Sequence, residues 1–291
     1  MTEAFGSRLR QVFADSGRLC VGIDPHVGLL TAWGLPDSAE GLRDFGLRVV
    51  EAAAGRVGIV KPQIAFYERH GSAGYAALEE VLAAARAAGL LVIADVKRGD
   101  LGTSVDAYGE AWLTPGSRLE ADAMTAVAFQ GLGSLEGVLD RAERSGKGVF
   151  VLAATSNPEA FTTQTATRAD GLSVAAGVVG DVAGWNEARR NAAAGAAASG
   201  AAALGSVGVV VGATVALADF GLTDDSLAGM PVLAPGFGHQ GARISQLPEL
   251  FGSAAQNVLV SASRSILSAG PTGIEAAIDG AAAEVVAACR A

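Results

Sequence analysis

Three side chains that could act together in catalysis lie in the segment "IADVKRGDLG", residues 93–102. Asp95, Lys97 and Asp100 directly follow an apolar run. A surface loop carries such charges without cost, whereas charges at the end of a buried strand have to be paired or used. Paired carboxylates would keep the Lys97 amine protonated and aimed at one point, with a negative charge beside a bound ligand. The segment therefore predicts a charged site at the mouth of a buried strand.

Other polar residues follow other apolar runs, so the candidate site extends over several strands. These residues are Asp24, Lys61, Thr155, Ser156, Asn157, Gln240 and Arg264. Taken alone, a strand-end Asp is more often a helix N-cap, a lone Lys is usually a solvated charge, and the Arg264 turn could be a surface loop. In a closed barrel, however, all strand ends converge on one opening, and the combination then favours a single site.

The segment "APGFG", residues 234–238, and Arg264 have the chemistry of a phosphate site. Glycine amides can approach phosphate oxygens closely, and a guanidinium offers two parallel hydrogen bonds to an anion. In α/β barrels the loops after the seventh and eighth strands commonly bind phosphate. On the other side of the opening, side chains of both signs would form a hydrogen-bonded array: Asp24, Lys61, Asp95, Lys97 and Asp100.

Eight apolar runs of strand length would position these side chains, and they alternate with longer, alanine-rich helical stretches. The runs cover residues 18–24, 57–63, 90–96, 121–127, 148–154, 207–213, 231–236 and 257–263. Each is nearly continuous in apolar residues, as in parallel strands that are buried on both faces. The pattern predicts an α/β fold, a single (β/α)8 TIM barrel.

A doubly wound open sheet is the alternative to the barrel. That fold normally has fewer strands and a glycine-rich phosphate turn after its first strand. Here the first run leads into "GIDPHVG", which does not match GxGxxG. In the helical segment 72–89, Leu78, Leu82 and Ala85 fall at helical spacing, and Gly89 is placed to end the helix.

The stretch between the fifth and sixth runs, residues 155–206, is long for one β/α unit. We predict an extended loop near "NPEAFTTQTATRADG" that could fold over the mouth of the barrel. The alanine-rich part, residues 191–205, favours a small-residue helix over a flexible linker, because alanine is the best helix former. We expect residues 1–291 to form one domain with this extended segment.

The composition of the chain limits its partners and its location. Half of the 291 residues are hydrophobic, and the net charge is −9. A nucleic-acid polymer or an anionic membrane would require a basic face, whereas a small anion requires only one or two local cations. The N-terminal segment lacks the apolar core of a signal peptide and no window resembles a membrane span, so we expect a cytoplasmic protein.

The cysteines and histidines indicate no metal site. Cys20 and Cys289 lie near opposite ends of the chain, so we expect two reduced, largely packed thiols. The histidines His26, His70 and His239 form no HExxH-type cluster. The sequence therefore predicts neither a metal nor a cofactor.

The segment "DVKRGD" resembles the Asp-x-Lys-x-x-Asp signature of the orotidine 5′-phosphate decarboxylase family. The resemblance extends over most of the chain, through "GIDP", Lys61, "TSNP", "APGFGHQG" and "SRSI". The length, the Asn-Pro after Ser156 and the long insertion resemble the longer bacterial (type 2) subfamily. The resemblance implies a barrel of the ribulose-phosphate-binding type. It also implies a carboxy-lyase that converts orotidine 5′-phosphate to UMP and CO₂, the last step of de novo pyrimidine synthesis, without metal or cofactor.

The resemblance also implies roles for the matching residues. Asp24 and Lys61 would hold the ribose hydroxyls, with Lys61 also part of the charged array. Asp95 would lie beside the substrate carboxylate, and Lys97 would donate the proton. Asp100 would reach the active site of the neighbouring subunit in a homodimer. Further substrate contacts are implied for Ser104, for Ser156 at the pyrimidine, for Gln240 between base and phosphate, and for Gly236, Gly238 and Arg264 at the phosphate.

Two positions depart from the family pattern. The family tends to have Thr where this chain has Ser104, and Gly before the phosphate arginine, where this chain has Ser263. Ser104 keeps the hydroxyl group. Ser263 adds a side chain where the backbone has to approach the phosphate.

Three other functions fit parts of the pattern. A 3-keto-L-gulonate 6-phosphate decarboxylase shares the DxKxxD signature but would bind Mg²⁺ and a sugar phosphate. A Schiff-base aldolase would use Lys97 or Lys61, but a lysine flanked by two carboxylates stays protonated and is a poor nucleophile. A phosphate-ligand-binding barrel without activity is the alternative that Ser263 favours.

Overall fold

Eight parallel strands form a closed barrel in the computed structural model, which describes residues 3–194 and 204–290. The strands are β1 (Leu19–Ile23), β2 (Ile59–Pro62), β3 (Leu91–Arg98), β4 (Ala123–Ala126), β5 (Gly148–Ala154), β6 (Val207–Val211), β7 (Val232–Pro235) and β8 (Val258–Ala262). Each strand pairs with the next one in the chain, and β8 pairs with β1. The predicted (β/α)8 barrel is confirmed. Seven strands lie within their predicted ranges, while β3 extends two residues further.

Helices connect the strands and surround the barrel. They are α1 (Phe5–Ser16), α2 (Val27–Ala32), α3 (Ala39–Ala53), α4 (Ala65–Glu68), α5 (Gly71–Ala87), α6 (Gly102–Leu113), α7 (Glu136–Ser145), α8 (Pro158–Gln164), α9 (Val174–Ala194), α10 (Leu247–Phe251), α11 (Arg264–Leu267) and α12 (Gly270–Ala288). Two short 3₁₀ helices, 217–220 and 225–227, replace an α-helix between β6 and β7. Within the described ranges, no helix combines the length and the apolar character that a membrane crossing requires.

Side chains that alternate along the strands fill the inside of the barrel. On β3, Leu91 and Ile93 belong to this inner cluster, because successive side chains of a strand point to opposite faces. Helix α1 contributes Phe5, whose ring packs edge-on against Phe150 with centroids 6.0 Å apart. A Cβ atom at Gly148 would lie 2.3 Å from the Phe5 ring, so glycine is required there. Helix α1 therefore closes the end of the barrel at which the strands begin.

The apolar faces of the helices pack on the outside of the barrel. On α5, the predicted stripe of Leu78, Leu82 and Ala85 is buried. The helix ends where predicted, because Gly89 adopts a φ of 75° and the N–H of Leu90 donates to the Ala85 carbonyl at 3.1 Å. Glycine reaches this left-handed conformation without the steric penalty of a Cβ atom.

A buried ionic network lies at the same end of the barrel as α1. Asp122, just before β4, accepts hydrogen bonds from Arg8 at 2.8 Å and from the backbone N–H of Val92 at 3.0 Å. Lys147, just before β5, donates to Glu120 at 2.7 Å and lies 3.6 Å from Asp122. Because each buried charge has a partner of opposite sign, the network can fix α1 to the start of three neighbouring strands.

The connection from β5 to β6 contains more regular structure than the predicted extended loop. Helix α8 forms within "NPEAFTTQTATRADG", and a β-bridge joins Thr167 to Ser173 before α9 begins. The Phe161 ring of α8 packs edge-on against Phe220 with centroids 5.6 Å apart, which ties α8 to the segment after β6. Helix α9 extends into the predicted helical segment 191–205 as far as Ala194, and most of the rest of that segment lies outside the described residues.

The two cysteines are free, but their environments differ. Cys20 belongs to the inner cluster, and burial raises the pKa of its thiol to about 12. A protonated, buried thiol is chemically inert. Cys289, which caps the C-terminus of α12, is exposed. The expectation of two packed thiols is therefore wrong for Cys289, because the apolar face of α12 ends before it.

Candidate active site

The inward-facing positions of the strands change from apolar to polar toward the carboxyl end of the barrel. Counting in steps of two from inner-core residues leads to Lys61 and Gln63 after Ile59, Asp95 and Lys97 after Ile93, Thr125 after Ala123, and Ser261 and Ser263 after Leu259. These polar residues line one cavity of about 450 Å³. Its volume is that of a small-molecule site. Because every second residue of a strand points inward, the polar site lies directly next to the apolar inner core of the same strands.

Asp95 is the centre of the predicted charged array. Its Oδ2 accepts hydrogen bonds from Lys61 Nζ and from Gln63 Nε2, both at 3.0 Å. Its Oδ1 accepts hydrogen bonds from Lys97 Nζ at 2.6 Å and from Thr125 Oγ1 at 2.9 Å. The Lys61 and Asp95 side chains are 8% and 9% exposed, whereas Lys97 is 45% exposed. The carboxylate is thus fully hydrogen-bonded, and Lys97 is the member of the array that extends into the open part of the cavity.

Charge pairing fixes the protonation states within this array. Burial alone would lower the pKa of Lys61, but the Asp95 and Asp24 carboxylates outweigh it and hold that pKa above its ordinary value. Burial alone would raise the pKa of Asp95, but Lys61 and Lys97 hold it well below the usual range. At neutral pH the site therefore keeps an ionised carboxylate beside the Lys61 ammonium group.

The backbone of β3 is irregular where the array forms. Ala94 pairs with Met124 and Arg98 pairs with Ala126, so a step of four residues on β3 faces a step of two on β4. Within the described ranges, Lys97 is the one non-glycine residue with a positive φ, which is 47°. Such a backbone costs a residue with a Cβ atom about 1–2 kcal/mol. It persists only where surrounding contacts hold it, and it is found most often at functional sites.

The opposite side of the cavity contains the predicted phosphate residues. Gly236, with a φ of 118°, and Arg264 line the cavity. Arg264 Nη1 lies 2.6 Å from His239 Nε2, a contact in which the arginine donates and the imidazole nitrogen accepts. Gly238 instead borders a neighbouring cavity of about 280 Å³, and its N–H donates to the Ala242 carbonyl at 2.8 Å. The role of Gly238 as an amide donor to phosphate stays a prediction.

Two side chains join loops across the mouth of the barrel, and two others have unpaired oxygens. Ser156, after β5, donates from Oγ to Gln240 Oε1, after β7, at 3.0 Å. Asp24 Oδ1 and Ser263 Oγ are buried without a hydrogen-bond partner, although both residues line the cavity. An unpaired buried polar atom is costly, so these two oxygens are available to a ligand.

The structure accommodates the departure from the family pattern at Ser263. Its φ is −131°, outside the region that favours glycine. A Cβ atom at Gly22, on the neighbouring strand, would lie 2.6 Å from the Ser263 Cβ. The space that Gly22 leaves open therefore admits the serine side chain.

A second histidine lies near the phosphate residues. The His26 ring packs against Phe66 with centroids 4.3 Å apart. Burial, together with the nearby Arg264 and His239, outweighs the effect of Asp24 and lowers the pKa of His26. This histidine is therefore neutral at pH 7.

Two predicted site residues lie apart from the others. Asp100 is half-buried, and its carboxylate accepts the N–H of Leu101 at 2.9 Å. Ser104 is exposed in the first turn of α6. The structure places both outside the residues that line the cavity of their own chain. Their roles in substrate binding and catalysis stay predictions.

Several polar residues of the cavity were not expected from the sequence, namely Gln63, Thr125, Ser261, His26 and His239. The strand period would have identified Gln63, Thr125 and Ser261, because each lies two or four residues after an inner-core residue. The two histidines lie in loops, where no such period applies. Only the tertiary structure brings them to Arg264.

Fold and site together define a class of protein. The chain is a closed (β/α)8 barrel with a lysine–carboxylate array on one side of its cavity and an arginine with Gly236 on the other. Such a cavity suits a small anionic molecule whose reacting group lies at the array.

Comparisons with known proteins identify the family within this class. The model of the family described as "Orotidine 5′-phosphate decarboxylase / HUMPS family" matches residues 17–277. A Salinispora tropica protein named orotidine 5′-phosphate decarboxylase is 48% identical over 291 residues, which cover 99% of this chain and 98% of the relative. A Nocardioides relative of the same name is 53% identical over 267 residues, which cover 90% of this chain and 91% of the relative.

A solved structure agrees over the whole chain. It belongs to a candidate orotidine 5′-phosphate decarboxylase from Streptomyces avermitilis, with a TM-score of 0.91 and 44% identity, and the match covers 100% of this chain and 97% of that one. The chain belongs to the orotidine 5′-phosphate decarboxylase / HUMPS family. The predicted family is thus confirmed, and with it the predicted class, a carboxy-lyase.

Proposed function

We propose that the chain decarboxylates orotidine 5′-phosphate to UMP and CO₂, the last step of de novo pyrimidine nucleotide synthesis. The names of its full-length relatives support this substrate. The observation that carries the mechanism is the array, in which Asp95 holds Lys61 and Lys97 at 3.0 and 2.6 Å beside the cavity. Such an arrangement presents a fixed ammonium group to a reacting atom without needing to reorganise.

The opposite side of the cavity would bind the phosphate, the ribose and the base. Arg264 would pair with the phosphate, and the open backbone at Gly236 allows its oxygens to approach. The unpaired Asp24 Oδ1 suits a ribose hydroxyl, which can donate to it. Ser156 and Gln240, already joined across the mouth, would contact the pyrimidine.

Lys97 would be the central catalytic residue. Loss of CO₂ leaves a carbanion at C6 that the pyrimidine ring delocalises poorly, so the site has to stabilise the charge as it forms. The Lys97 ammonium group would stabilise this carbanion and then deliver its proton to C6. The Asp95 contact at 2.6 Å and the Lys97 backbone conformation fix the position of this ammonium group in advance.

Asp95 would act on the bound substrate before CO₂ leaves. It would lie beside the substrate carboxylate, so two negative charges would meet when the substrate binds. Departure of CO₂ removes one of those charges. Binding of the remote phosphate would supply the free energy that holds the two carboxylates together before reaction.

We also propose that the active protein is a homodimer with shared active sites. Asp100 lies outside the cavity of its own chain, as a residue that serves a partner would. Leu101 and Phe129, in the segments after β3 and β4, are 60% and 84% exposed. Apolar side chains this exposed are suited to burial against a second copy.

Four further properties belong to this proposal. We expect residues 1–291 to act as one domain in the cytoplasm, with a nucleotide as ligand rather than a nucleic-acid polymer or a membrane. The net charge of −9 supports the last point. We also expect the reaction to require no metal or organic cofactor, since the resemblance implies none.

The first experiment follows the absorbance of orotidine 5′-phosphate with the purified chain, with and without EDTA. Decay that EDTA does not change would support the proposal. Decay that EDTA abolishes would contradict the expected independence of a metal ion. Absence of decay with UMP still bound would favour a binding barrel without activity, and Ser263→Gly would then be the first variant to test.

A further inference from the structure

The irregular segment of β3 depends on one side chain of the neighbouring strand. The two surplus residues of β3 interrupt the ladder between Ala94–Met124 and Arg98–Ala126. Thr125, the residue between Met124 and Ala126, faces this interruption and is 1% exposed. Backbone groups that lose their ladder partners in a bulge require other partners if they are buried.

The Thr125 hydroxyl supplies such a partner in two directions at once. Its oxygen accepts the backbone N–H of Lys97 at 2.9 Å, and its hydrogen is donated to Asp95 Oδ1, also at 2.9 Å. A hydroxyl has one donor and two acceptor sites, so a single threonine can make both bonds. Thr125 thus joins the backbone of one array member to the carboxylate of another.

We propose that Thr125 is a positioning residue that holds Lys97 in its positive-φ conformation and Asp95 in register with it, an inference that rests on the proposed decarboxylation. The bond to the Lys97 N–H opposes relaxation of β3 into a regular strand. The bond to Asp95 Oδ1 holds the oxygen that also receives Lys97 Nζ at 2.6 Å. The hydroxyl therefore sets both ends of the Lys97 side chain, its backbone and its ammonium group.

The remaining contacts of the array cannot replace this bond. Gln63 and Lys61 both donate to the other oxygen of Asp95, Oδ2. Without the Thr125 hydroxyl, the Oδ1 side of the carboxylate would be held by Lys97 alone, and the Lys97 N–H would face an apolar group. Displacement of the ammonium group by even an ångström is expected to slow the reaction strongly, because the site works through fixed geometry.

The test compares two substitutions at position 125 that differ in the hydroxyl. Thr125→Val keeps the shape of the side chain and removes the hydroxyl, and Thr125→Ser keeps the hydroxyl and removes the methyl group. We expect Thr125→Val to lower kcat at least about 30-fold, and Thr125→Ser to restore most of the activity. We expect the Kd for UMP to change less than about threefold in both variants, because other strands supply the phosphate, ribose and base contacts.

A matched control removes a different hydroxyl from the same chain. Thr114, at the C-terminus of α6, accepts a hydrogen bond from Arg141 at 3.2 Å and does not line the cavity. We expect Thr114→Val to leave kcat and the UMP affinity unchanged. If Thr125→Val does not fold, Thr125→Ala removes the same hydroxyl from a smaller side chain and is compared with Thr125→Ser.

Each outcome separates this inference from the proposed function. A wild-type chain that does not decarboxylate orotidine 5′-phosphate contradicts the proposed function, whatever the variants do. An active wild-type chain with an equally active Thr125→Val variant overturns the inference alone. Equal losses in Thr125→Val and Thr125→Ser also overturn it, because the hydroxyl that Thr125→Ser keeps would then not preserve the activity. Parallel loss of kcat and UMP affinity would indicate collapse of the site and overturn it as well.

Discussion

Asp95 accepts four hydrogen bonds, and this arrangement makes Lys97 the residue that the proposed chemistry requires. Lys61 and Gln63 occupy one carboxylate oxygen, and Lys97 and Thr125 the other. Three of these four donors are buried in the barrel or packed at its edge, whereas Lys97 is 45% exposed to the cavity. The array therefore holds one ammonium group, that of Lys97, in a fixed position.

Lys97→Ala is expected to lower turnover by at least about 10³-fold, because the proton donor and the nearest cation are both lost. UMP should still bind, since Arg264, Gln240 and Asp24 are unchanged. Steady-state assays measure the turnover, and calorimetric titration measures the affinity for UMP. A variant that no longer binds UMP would mean that Lys97 holds the ligand or the fold rather than the reaction.

Arg264→Ala is expected to raise KM about 10- to 100-fold, because a charge-assisted hydrogen bond to a phosphate contributes about 1.5–3 kcal/mol. The change in kcat should be smaller than the change in KM. The matched control is Arg118→Ala, since the Arg118 side chain is 85% exposed and pairs with the partly exposed Glu79 at 3.3 Å. An unchanged KM in Arg264→Ala would place the phosphate elsewhere.

The array should also set a pH window for stability. The pKa of Asp95 is depressed in the folded chain, so its contribution is present above the unfolded value of about 3.9 and is lost as the pH falls through the folded value. The pKa of Lys61 is raised, so its contribution is present below about 10.4 and is lost as the pH rises through the folded value.

Denaturant unfolding of the wild type and Asp95→Asn at a series of pH values measures this window. The difference in the free energy of unfolding between the two chains should stay constant between about pH 5 and 9. It should shrink as the pH falls below about 4. A difference that stays constant or grows as the pH falls below about 4 would show that the folded pKa of Asp95 is not depressed.

At the scale of the elements, the two ends of the barrel have different roles: one carries the candidate site, and the other stabilises the fold. The carboxyl ends of β2 and β3 carry Lys61, Asp95 and Lys97, and that of β4 carries Thr125. The amino ends are closed by α1, whose Phe5 fills the inner core and whose Arg8 pairs with Asp122 at 2.8 Å. Residues at the closed end are therefore expected to affect folding rather than catalysis.

Asp122→Ala tests this separation at the closed end. The substitution leaves the Val92 N–H without its partner and removes the carboxylate that faces both Arg8 and Lys147. We therefore expect a loss of about 2–4 kcal/mol in the free energy of unfolding. The values of kcat and KM should stay at wild-type levels below the unfolding temperature. Asp15→Ala, on the exposed face of α1, is the control and should change stability by less than about 0.5 kcal/mol. A catalytic defect in folded Asp122→Ala would contradict the separation.

At the scale of the whole molecule, the single chain leaves one part of the predicted site incomplete. Asp100 belongs to the same DxKxxD segment as Asp95 and Lys97, yet it lies outside the cavity. Nearby Leu101 and Phe129 expose apolar surface to solvent. A second copy that covers this surface would bring its own Asp100 to the site of the first.

Subunit complementation tests the proposed shared site. Lys97→Ala and Asp100→Ala should each be nearly inactive alone, but a mixed dimer would contain one site with both wild-type residues. Random exchange between equal amounts of the two variants should therefore recover about a quarter of the wild-type activity. Mixed dimers that form, as seen by native mass spectrometry, but stay inactive would show that Asp100 does not cross the interface. A chain that is active as a monomer would exclude the dimer altogether.

Much of the site could be predicted from the sequence, because charges after apolar runs are rare and strand ends of a parallel barrel meet. Asp24, Lys61, Asp95 and Lys97 were found in this way, and all four line the cavity. Thr125 was not found, since a threonine in an apolar strand has no charge to mark it. Gly238 was expected at the phosphate, yet its N–H is used within its own loop at 2.8 Å from the Ala242 carbonyl.

The amino-acid pattern along the chain is sufficient to predict the barrel, the strand from which each charged residue projects and the family. Local patterns suffice for these features, because hydrophobic period and strand-end charge are written along the chain. Tertiary contacts determine which partners satisfy Asp95, why Lys97 adopts a φ of 47°, and how His239 contacts Arg264. Those features depend on contacts between strands and loops that are distant in sequence, where register and packing rather than local pattern place the atoms.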